Sequence, residues 1–157
     1  HQLSMVFIKE KSDSRWKNIQ IFSLGTGLII TAITLILGLT PLGNFLFNQI
    51  VGVSKELTTI SKKVMIAFAL YPVIRSLREA YWGLLMKKRI TNMIAVAKSS
   101  NLIAAITFLT ITISTTEIHP AILGGLSFTT GEFIETLFIW YFTNKYDNDI
   151  KQTQKII

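Results

Sequence analysis

Four long apolar runs, separated by charged or turn-forming segments, dominate the pattern of hydrophobic and polar positions along the chain. They cover residues 19–40, 64–86, 93–113 and 121–142. A helix that crosses a bilayer needs roughly 20 mostly apolar residues in succession, and the core helices of soluble proteins seldom contain such runs. The pattern therefore predicts an all-α fold, a polytopic transmembrane helix bundle of about four spans within a single membrane domain, residues 1–157.

The segments outside the runs are expected to lie at the membrane surface or to bend the chain. Pro41 ends the first run, because proline cannot continue a helical hydrogen-bond ladder. Residues 44–63 are amphipathic and are predicted to form an interfacial or re-entrant segment. Pro72 is expected to kink the second span. Residues 143–157 are predicted to be a polar cytoplasmic tail, disordered or interfacial.

The composition agrees with a membrane protein. Half of the 157 residues are hydrophobic and 16% are charged, whereas soluble domains carry about 25% charged residues. The net charge is +7, and many of the cations flank apolar runs, so the expected partner is a lipid bilayer and not nucleic acid. The chain begins with His1 and not with Met, so we expect a piece of a longer protein.

Lysine and arginine are distributed unequally between the two sides of the predicted bundle. Ten lie on one side, before the first span, after the second or after the fourth, and three lie on the other. Cytoplasmic segments carry the excess of these residues. Both ends of the chain are therefore predicted to be cytoplasmic, in a protein of the cell (plasma) membrane. The ten are Lys9, Lys11, Arg15, Lys17, Lys87, Lys88, Arg89, Lys145, Lys151 and Lys155, and the three are Lys55, Lys62 and Lys63.

Six charged residues lie inside the predicted spans, where each costs roughly 2.5–3.5 kcal/mol on insertion scales. Steps of three and four residues place them on one stripe of each helix. Such charges normally face the bundle interior or a water-filled cavity, so three spans are predicted to present polar faces to a shared cavity. The stripes are Tyr71, Arg75, Arg78, Glu79 and Trp82; Lys98, Asn101, Ala105 and Thr112; and Thr129, Glu132, Glu135 and Thr136.

The charges on these stripes suggest two roles. The residues predicted to bind an anionic substrate group, such as phosphate or carboxylate, are Arg75, Arg78, Tyr71 and Asn101. The residues predicted to bind a coupling H⁺ or Na⁺ are Glu132, Glu135 and Glu79. Simpler interpretations stay open, since Arg75 and Glu79 can pair within one helix and the stem of Lys98 can carry its ammonium to the membrane surface.

Signatures of an enzyme are missing from the sequence. The two histidines, His1 and His119, are far apart in the sequence, and the chain has no cysteine, so no paired ligands of the usual zinc type occur. No Walker-type phosphate loop occurs either. We therefore expect no catalytic residues, no metal site, no cofactor apart from the coupling ion, and no enzymatic activity.

A series of short motifs runs through the chain in a familiar order. The motifs are Thr40-Pro41-Leu42-Gly43-Asn44, Val51-Gly52-Val53-Ser54, Tyr71-Pro72, Gly83-Leu84-Leu85, Lys87-Lys88-Arg89 with Thr91, and Asn101. Their order resembles the multidrug/oligosaccharidyl-lipid/polysaccharide flippase superfamily, which includes the multidrug and toxic-compound extrusion (MATE) transporters. Residues 75–91 also resemble the progressive-ankylosis type of membrane protein, a relative of these transporters.

The resemblance implies a transporter of twelve spans in two six-helix halves. This chain would supply the end of a second helix and then helices three to six of one half, and the remaining half would be its partner. Members export amphipathic or lipid-linked substrates by alternating access, often driven by H⁺ or Na⁺. The acids of the family's cation site lie outside this chain, and the charged second span departs from typical drug exporters.

These observations predict a MATE-like secondary active transporter or flippase, an antiporter that carries out efflux of a small amphipathic, anionic or lipid-linked substrate. A rival from another class is a small four-span structural or assembly subunit, whose charges would pair with partner helices. A second rival is a membrane-embedded lipid-modifying enzyme, which is disfavoured because no nucleophile, metal site or His/Asp constellation is present.

Overall fold

A computed structural model of the protein describes residues 14–154, with side chains described for residues 15–145. This part of the chain is helical and contains no strand. The prediction of an all-α, polytopic helix bundle is confirmed. The elements are α1 (Ser14–Leu39), α2 (Pro41–Asn44), a π-helix (Phe45–Ile50), α3 (Lys55–Ala67), α4 (Tyr71–Lys87), α5 (Thr91–Thr115) and α6 (Pro120–Gln154).

Three of these helices are long and apolar enough to cross a bilayer. They contain the segments Arg15–Leu39, Thr91–Thr115 and Pro120–Lys145, and the bent pair of α3 and α4 supplies a fourth if it is one span. Large apolar side chains on the outer faces of α1, α5 and α6 are exposed, as lipid-facing side chains would be. The chain is therefore an integral membrane protein. The end of a preceding helix, predicted at the start of the chain, lies outside the described residues.

The second predicted span is broken in the structure and not kinked at its proline. α3 ends at Ala67, α4 begins at Tyr71, and the two helices are bent by 41°. Pro72 lies in the first turn of α4, where its missing N–H costs nothing. Because Pro72 cannot donate to Phe68 four residues earlier, the Phe68 carbonyl accepts from the Tyr71 N–H at 3.0 Å instead.

Threonines of neighbouring helices bind the carbonyls at this break. Thr31 of α1 is buried and donates to the Ala69 carbonyl at 2.8 Å. The Thr129 hydroxyl of α6 donates to the Gly125 carbonyl of its own helix at 2.9 Å and shares this proton with the Ala67 carbonyl at 3.4 Å. An unpaired carbonyl in hydrocarbon costs several kcal/mol, so these two side chains make a broken helix tolerable at this position.

Two other segments differ from, or refine, the prediction. The amphipathic segment 44–63 folds into the π-helix and the first part of α3. Lys62 of α3 donates to the Thr40 carbonyl at 3.0 Å and to Asn44 Oδ1 at 3.1 Å, and a re-entrant or interfacial location of the segment stays a prediction. α6 extends into the polar tail as far as Gln154, so residues 143–154 are helical and not disordered. No glycine or proline follows Gly131 to end that helix. A location of the tail at the membrane interface stays a prediction.

α6 lies at the centre of the bundle, with α3, α4 and α5 packed against it, while α1 packs on α3 and α4. At one end of the bundle, Trp16 of α1 meets Tyr81 of α4 edge to face, with ring centroids 5.2 Å apart. Gln20 donates to the Tyr81 hydroxyl at 3.0 Å. Leu84 and Ile139 complete this buried apolar core. The core fixes the rotation of α4, and with it the direction of the charged stripe.

The contact between α1 and α4 is closest at Gly27. A Cβ atom at this position would lie 2.8 Å from the Val73 Cα and 3.1 Å from the Pro72 carbonyl oxygen. Both are backbone atoms, so they cannot move aside as a flexible side chain would. Glycine therefore permits the two helix backbones to approach each other here.

We predict that Gly27→Ala destabilises the protein by about 1–3 kcal/mol, the usual cost of overpacking a well-packed contact. Gly25→Ala on the same helix is the control, because a Cβ at Gly25 meets no atom within 4 Å, and it should be neutral or stabilising by about 0.5–1 kcal/mol. Thermal unfolding in detergent micelles measures both. Equal effects of the two substitutions would contradict the close approach at Gly27.

Candidate functional site

Charged side chains from α4 and α6 meet in the interior of the bundle. Arg78 points from α4 toward α6, and Glu132 and Glu135 lie one turn apart on the facing side of α6. The exposed fractions of these residues are 3%, 2% and 0%, respectively. Arg78 Nη1 donates to Glu132 Oε2, and it lies 3.3 Å from Glu135 Oε2. One guanidinium nitrogen thus contacts both carboxylates.

α5 supplies the other two partners of these carboxylates. Lys98 Nζ lies 3.2 Å from Glu135 Oε2 and 3.7 Å from Glu132 Oε1. Asn101, one turn further along α5, donates through Nδ2 to Glu135 Oε2 and, at 3.4 Å, to Glu132 Oε1. A Cβ at Gly131 of α6 would overlap Asn101, so glycine at 131 permits the approach that these hydrogen bonds need. The acidic pair therefore joins three helices.

Glu79 extends this cluster to the other side of α4. Its Oε1 accepts from Arg78 Nη2 at 3.0 Å and lies 3.9 Å from Arg75 Nε. Arg75 donates to the Tyr71 hydroxyl, and its side chain is 52% exposed. A continuous series of ion pairs thus runs from Arg75 through the buried carboxylates to Lys98. We call these six side chains the charge series: Arg75, Glu79, Arg78, Glu132, Glu135 and Lys98.

A cavity of about 390 Å³ opens beside the Arg75 end of the charge series. It lies between α1 and the first turns of α4, directly after the break in the second span. Its size falls in the range of sites for small molecules. Most of its wall is apolar, with hydroxyl and charged groups in a few places. Its walls are Phe22, Ser23, Thr26 and Ile30 of α1, and Tyr71, Pro72, Arg75, Ser76 and Glu79 of α4.

The charge series is balanced, because it consists of three cations and three anions. An isolated buried charge costs several kcal/mol of desolvation, and a close partner of opposite sign offsets much of that cost. The Trp82 ring lies 4.9 Å from the Arg78 guanidinium carbon, an arrangement that favours a cation over the aromatic face. The paired charges are therefore compatible with a membrane interior, whereas any one of them without its partners would be costly there.

Three buried polar atoms at this site, within the described part of the chain, have no hydrogen-bond partner. They are Glu135 Oε1, Arg78 Nε and Trp82 Nε1. An unsatisfied buried acceptor costs about 1–3 kcal/mol. Glu135 Oε1 therefore has a free lone pair that could accept a proton or coordinate a small cation. Among the described residues, no group of three or more His, Cys, Asp or Glu residues is placed to hold a metal ion.

The structure divides the residues that the sequence singled out between two places. Two of the three predicted ion-coupling acids, Glu132 and Glu135, lie together with Arg78 and Asn101, two residues that were predicted to bind substrate. The third acid, Glu79, contacts Arg78 but lines the cavity, as do the other two predicted substrate residues, Arg75 and Tyr71. Their roles stay predictions. Both simpler interpretations hold in part: Arg75 and Glu79 form an i,i+4 pair, and Lys98 is 54% exposed yet pairs with the buried acids.

The α1 wall of the cavity was not predicted. Ser23, Thr26 and Ile30 recur at steps of three and four and flank Gly27, which is the spacing of a helix face that packs closely on a neighbour. This spacing could have identified the α1 face of the cavity from the sequence. The prediction was based on charged residues, and the first span carries none between Ile19 and Thr40.

We predict that Arg78→Met destabilises the protein by about 3–5 kcal/mol, because breaking a buried ion pair leaves uncompensated charge. The double variant Arg78→Met/Glu132→Gln should recover part of this loss, since it removes one of the two stranded carboxylates. Arg75→Met removes an exposed cation and should cost about 1 kcal/mol or less. Thermal unfolding in micelles measures all three, and equal losses for Arg75→Met and Arg78→Met would contradict the burial described here.

Comparison with known protein families identifies a relationship. The model of the progressive ankylosis protein (ANKH) family matches residues 1–155. No curated protein and no solved structure matches the chain. The expected assignment to the MATE-like flippase superfamily, with progressive ankylosis only as a relative, is therefore wrong. The motifs behind it, such as Tyr71-Pro72 and Gly83-Leu84-Leu85, are short and mostly apolar, so many membrane spans can contain them. The chain belongs to the progressive ankylosis protein (ANKH) family.

Proposed function

We infer that this chain is part of a secondary active transporter that exports an anionic, amphipathic or lipid-linked solute through ion-coupled alternating access. The observation that carries this proposal is the buried carboxylate pair, Glu132 and Glu135, in contact with charged groups of two other helices. Ionisable groups inside a bilayer are costly and typically mark ion or substrate pathways. Replacing a buried ion pair by well-packed apolar side chains is often neutral or stabilising, so a purely structural bundle would not need these charges.

The cavity supports the substrate end of the proposal. Arg75 offers a half-exposed cation at its wall, and the Tyr71 hydroxyl lies beside it. Guanidinium groups bind phosphate and carboxylate oxygens through paired hydrogen bonds. The remaining wall is mostly apolar, which suits a solute with an anionic group and an apolar part. A solute in this cavity would contact Arg75 and Glu79, the first two members of the charge series.

The broken span supports the alternating-access part of the proposal. Transporters commonly form their sites at discontinuous helices near the bilayer midplane. Here the cavity lies at the first turn of α4, and α3 joins it at a bend of 41°. The three residues of the break, 68–70, lie between α3 and α4, so a change of angle between the two helices would occur there.

The structural or assembly subunit remains the second candidate, and one observation weighs against it. That function predicts intramembrane charges left for partner helices to neutralise. In the described part of the chain, the six members of the charge series pair with one another. A role in ion and solute movement accounts for this internal pairing, and for the adjoining cavity, more directly.

We predict that Arg75→Gln and Glu132→Gln each lower export at least about tenfold, the effect of removing about 1.4 kcal/mol of interaction. Cells that express the native protein are compared with cells that express each variant. Mass spectrometry of the medium then identifies anionic solutes whose appearance depends on the wild-type protein. The amounts are divided by the surface abundance of each variant, measured by biotinylation, so that poor folding is not mistaken for poor transport.

Lys63→Gln is the matched control, because it removes one exposed positive charge from α3 outside the charge series. It should export at the wild-type level. Normal export by both Arg75→Gln and Glu132→Gln would contradict the proposed roles. If cells with and without the wild-type protein released the same anionic solutes into the medium, that result would contradict export and favour the structural subunit.

A further inference from the structure

Lys98 differs from the other cation that contacts the buried acids. The side chain of Arg78 is 4% exposed, lies against Trp82 and contacts three carboxylates. The Lys98 side chain is 54% exposed, although its ammonium contacts both Glu132 and Glu135. Lysine has a flexible four-carbon stem and a single compact charge. Lys98 can therefore leave the acids and reach water or headgroups, whereas Arg78 cannot.

We propose that the Lys98 ammonium is a tethered, displaceable occupant of a monovalent-cation site formed by Glu132 and Glu135, and that a free cation binds there by replacing it. This inference rests on the cation coupling proposed above and specifies how the site is regulated. The free cation is H⁺ or Na⁺, since both bind carboxylate oxygen.

The atoms that remain after Lys98 leaves fit such a cation. Glu135 Oε1 has no partner among the described residues even with Lys98 in place. Departure of the ammonium also leaves Asn101 as the remaining α5 partner of Glu132 Oε1 and Glu135 Oε2. These two oxygens would then face the vacated position, and the unpartnered Glu135 Oε1 belongs to the same carboxylate as one of them. Hard monovalent cations prefer oxygen ligands, and a proton needs one of them.

The balance of charge favours replacement over simple addition. Among the described side chains, the groups around the carboxylate pair are Arg78 from α4, with Glu79 bound to it, and Lys98 and Asn101 from α5; no further charged side chain of α6 up to Lys145 contacts the pair. With Arg75 and Lys98 in place, the charge series has three cations and three anions and is neutral. An added cation would give the charge series a net positive charge, whereas an exchanged one keeps it neutral. Neutral states are the less costly ones away from water.

The exchange would also change how α5 is held. Lys98 and Asn101 are the polar contacts described between α5 and the two acids of α6. Once Lys98 is displaced, Asn101 alone maintains this polar link. Binding of the cation would thus weaken the attachment of α5 to α6, while Arg78 keeps α4 attached. Cation binding at Glu132 and Glu135 would thereby change how α5 packs against α6.

The test is the stabilisation of the full native protein, in lipid–detergent micelles, by the cation itself. A cation that binds the folded state raises the midpoint of thermal unfolding. One arm titrates NaCl against choline chloride at fixed pH, and the other varies pH in sodium-free buffer, so Na⁺ and H⁺ are distinguished. In Lys98→Gln the acids have no tethered competitor. We expect half-maximal stabilisation at a cation concentration at least about tenfold lower than in wild type, equivalent to about 1.4 kcal/mol.

Lys63→Gln is the matched control and should keep the wild-type half-maximal concentration. Glu135→Gln should lose the cation effect. If Glu135→Gln lost the effect while Lys98→Gln left the concentration unchanged, the cation site would stand and displacement of Lys98 would be wrong. If Glu135→Gln kept the effect, or if neither wild type nor Lys98→Gln responded to either cation, the ion coupling proposed above would fail as well.

A second measurement uses unaltered protein, in case Lys98→Gln folds poorly. An amine-reactive acetylating reagent modifies lysines at a rate that depends on exposure of the ammonium. Mass spectrometry gives the rate for Lys98 with and without saturating Na⁺, in buffer of constant pH. In the proton arm, the Lys98 rate is divided by that of Lys63 at each pH. Displacement should raise the Lys98 rate several-fold and leave that of Lys63 unchanged. An unchanged Lys98 rate under the stabilising cation would overturn the proposal.

Discussion

The ion pair between Arg78 and the two carboxylates of α6 is the interaction on which the rest of the bundle depends. Charges removed from water are tolerable only with close partners and satisfied hydrogen bonds, so α4, α5 and α6 have to meet in one register. The glycine at 131 permits that approach, and the Trp16–Tyr81 contact fixes the rotation of α4. Alternative packings of the same helices would strand Arg78 or an acid.

The charge series links regions that would otherwise be independent. The cavity belongs to α1 and α4, whereas Lys98 belongs to α5, on the far side of the carboxylate pair. Each member contacts the next, so a change of charge at one end alters the balance at the other. In the proposed transporter, solute at Arg75 and cation at Glu135 need not touch each other. Their mutual influence would pass through Glu79 and Arg78.

The sequence was informative where periodicity alone determines position. Steps of three and four residues predicted which charged side chains share a helix face, and the structure brings those faces together. The same reasoning could not distinguish Arg75 from Arg78, because both lie on one stripe and only the packing of α4 against α6 decides which of them is buried. The break before Pro72 was also not predictable as a break, since it depends on Thr31 and Thr129 from distant parts of the chain. The short apolar motifs led to the wrong family because any membrane span requires apolar residues, so such motifs carry little information about ancestry.

The distance along the chain between Arg78 and its partner has a consequence for biogenesis. The two residues are 54 positions apart, so α4 leaves the ribosome well before Glu132 has been synthesised. At about 5–20 residues per second, the guanidinium has Glu79 of its own helix as its carboxylate partner for roughly 3–11 s before the acids of α6 exist. The interior contacts of α4 can therefore form only after the last helix has been synthesised, so that completion of this bundle is a late event.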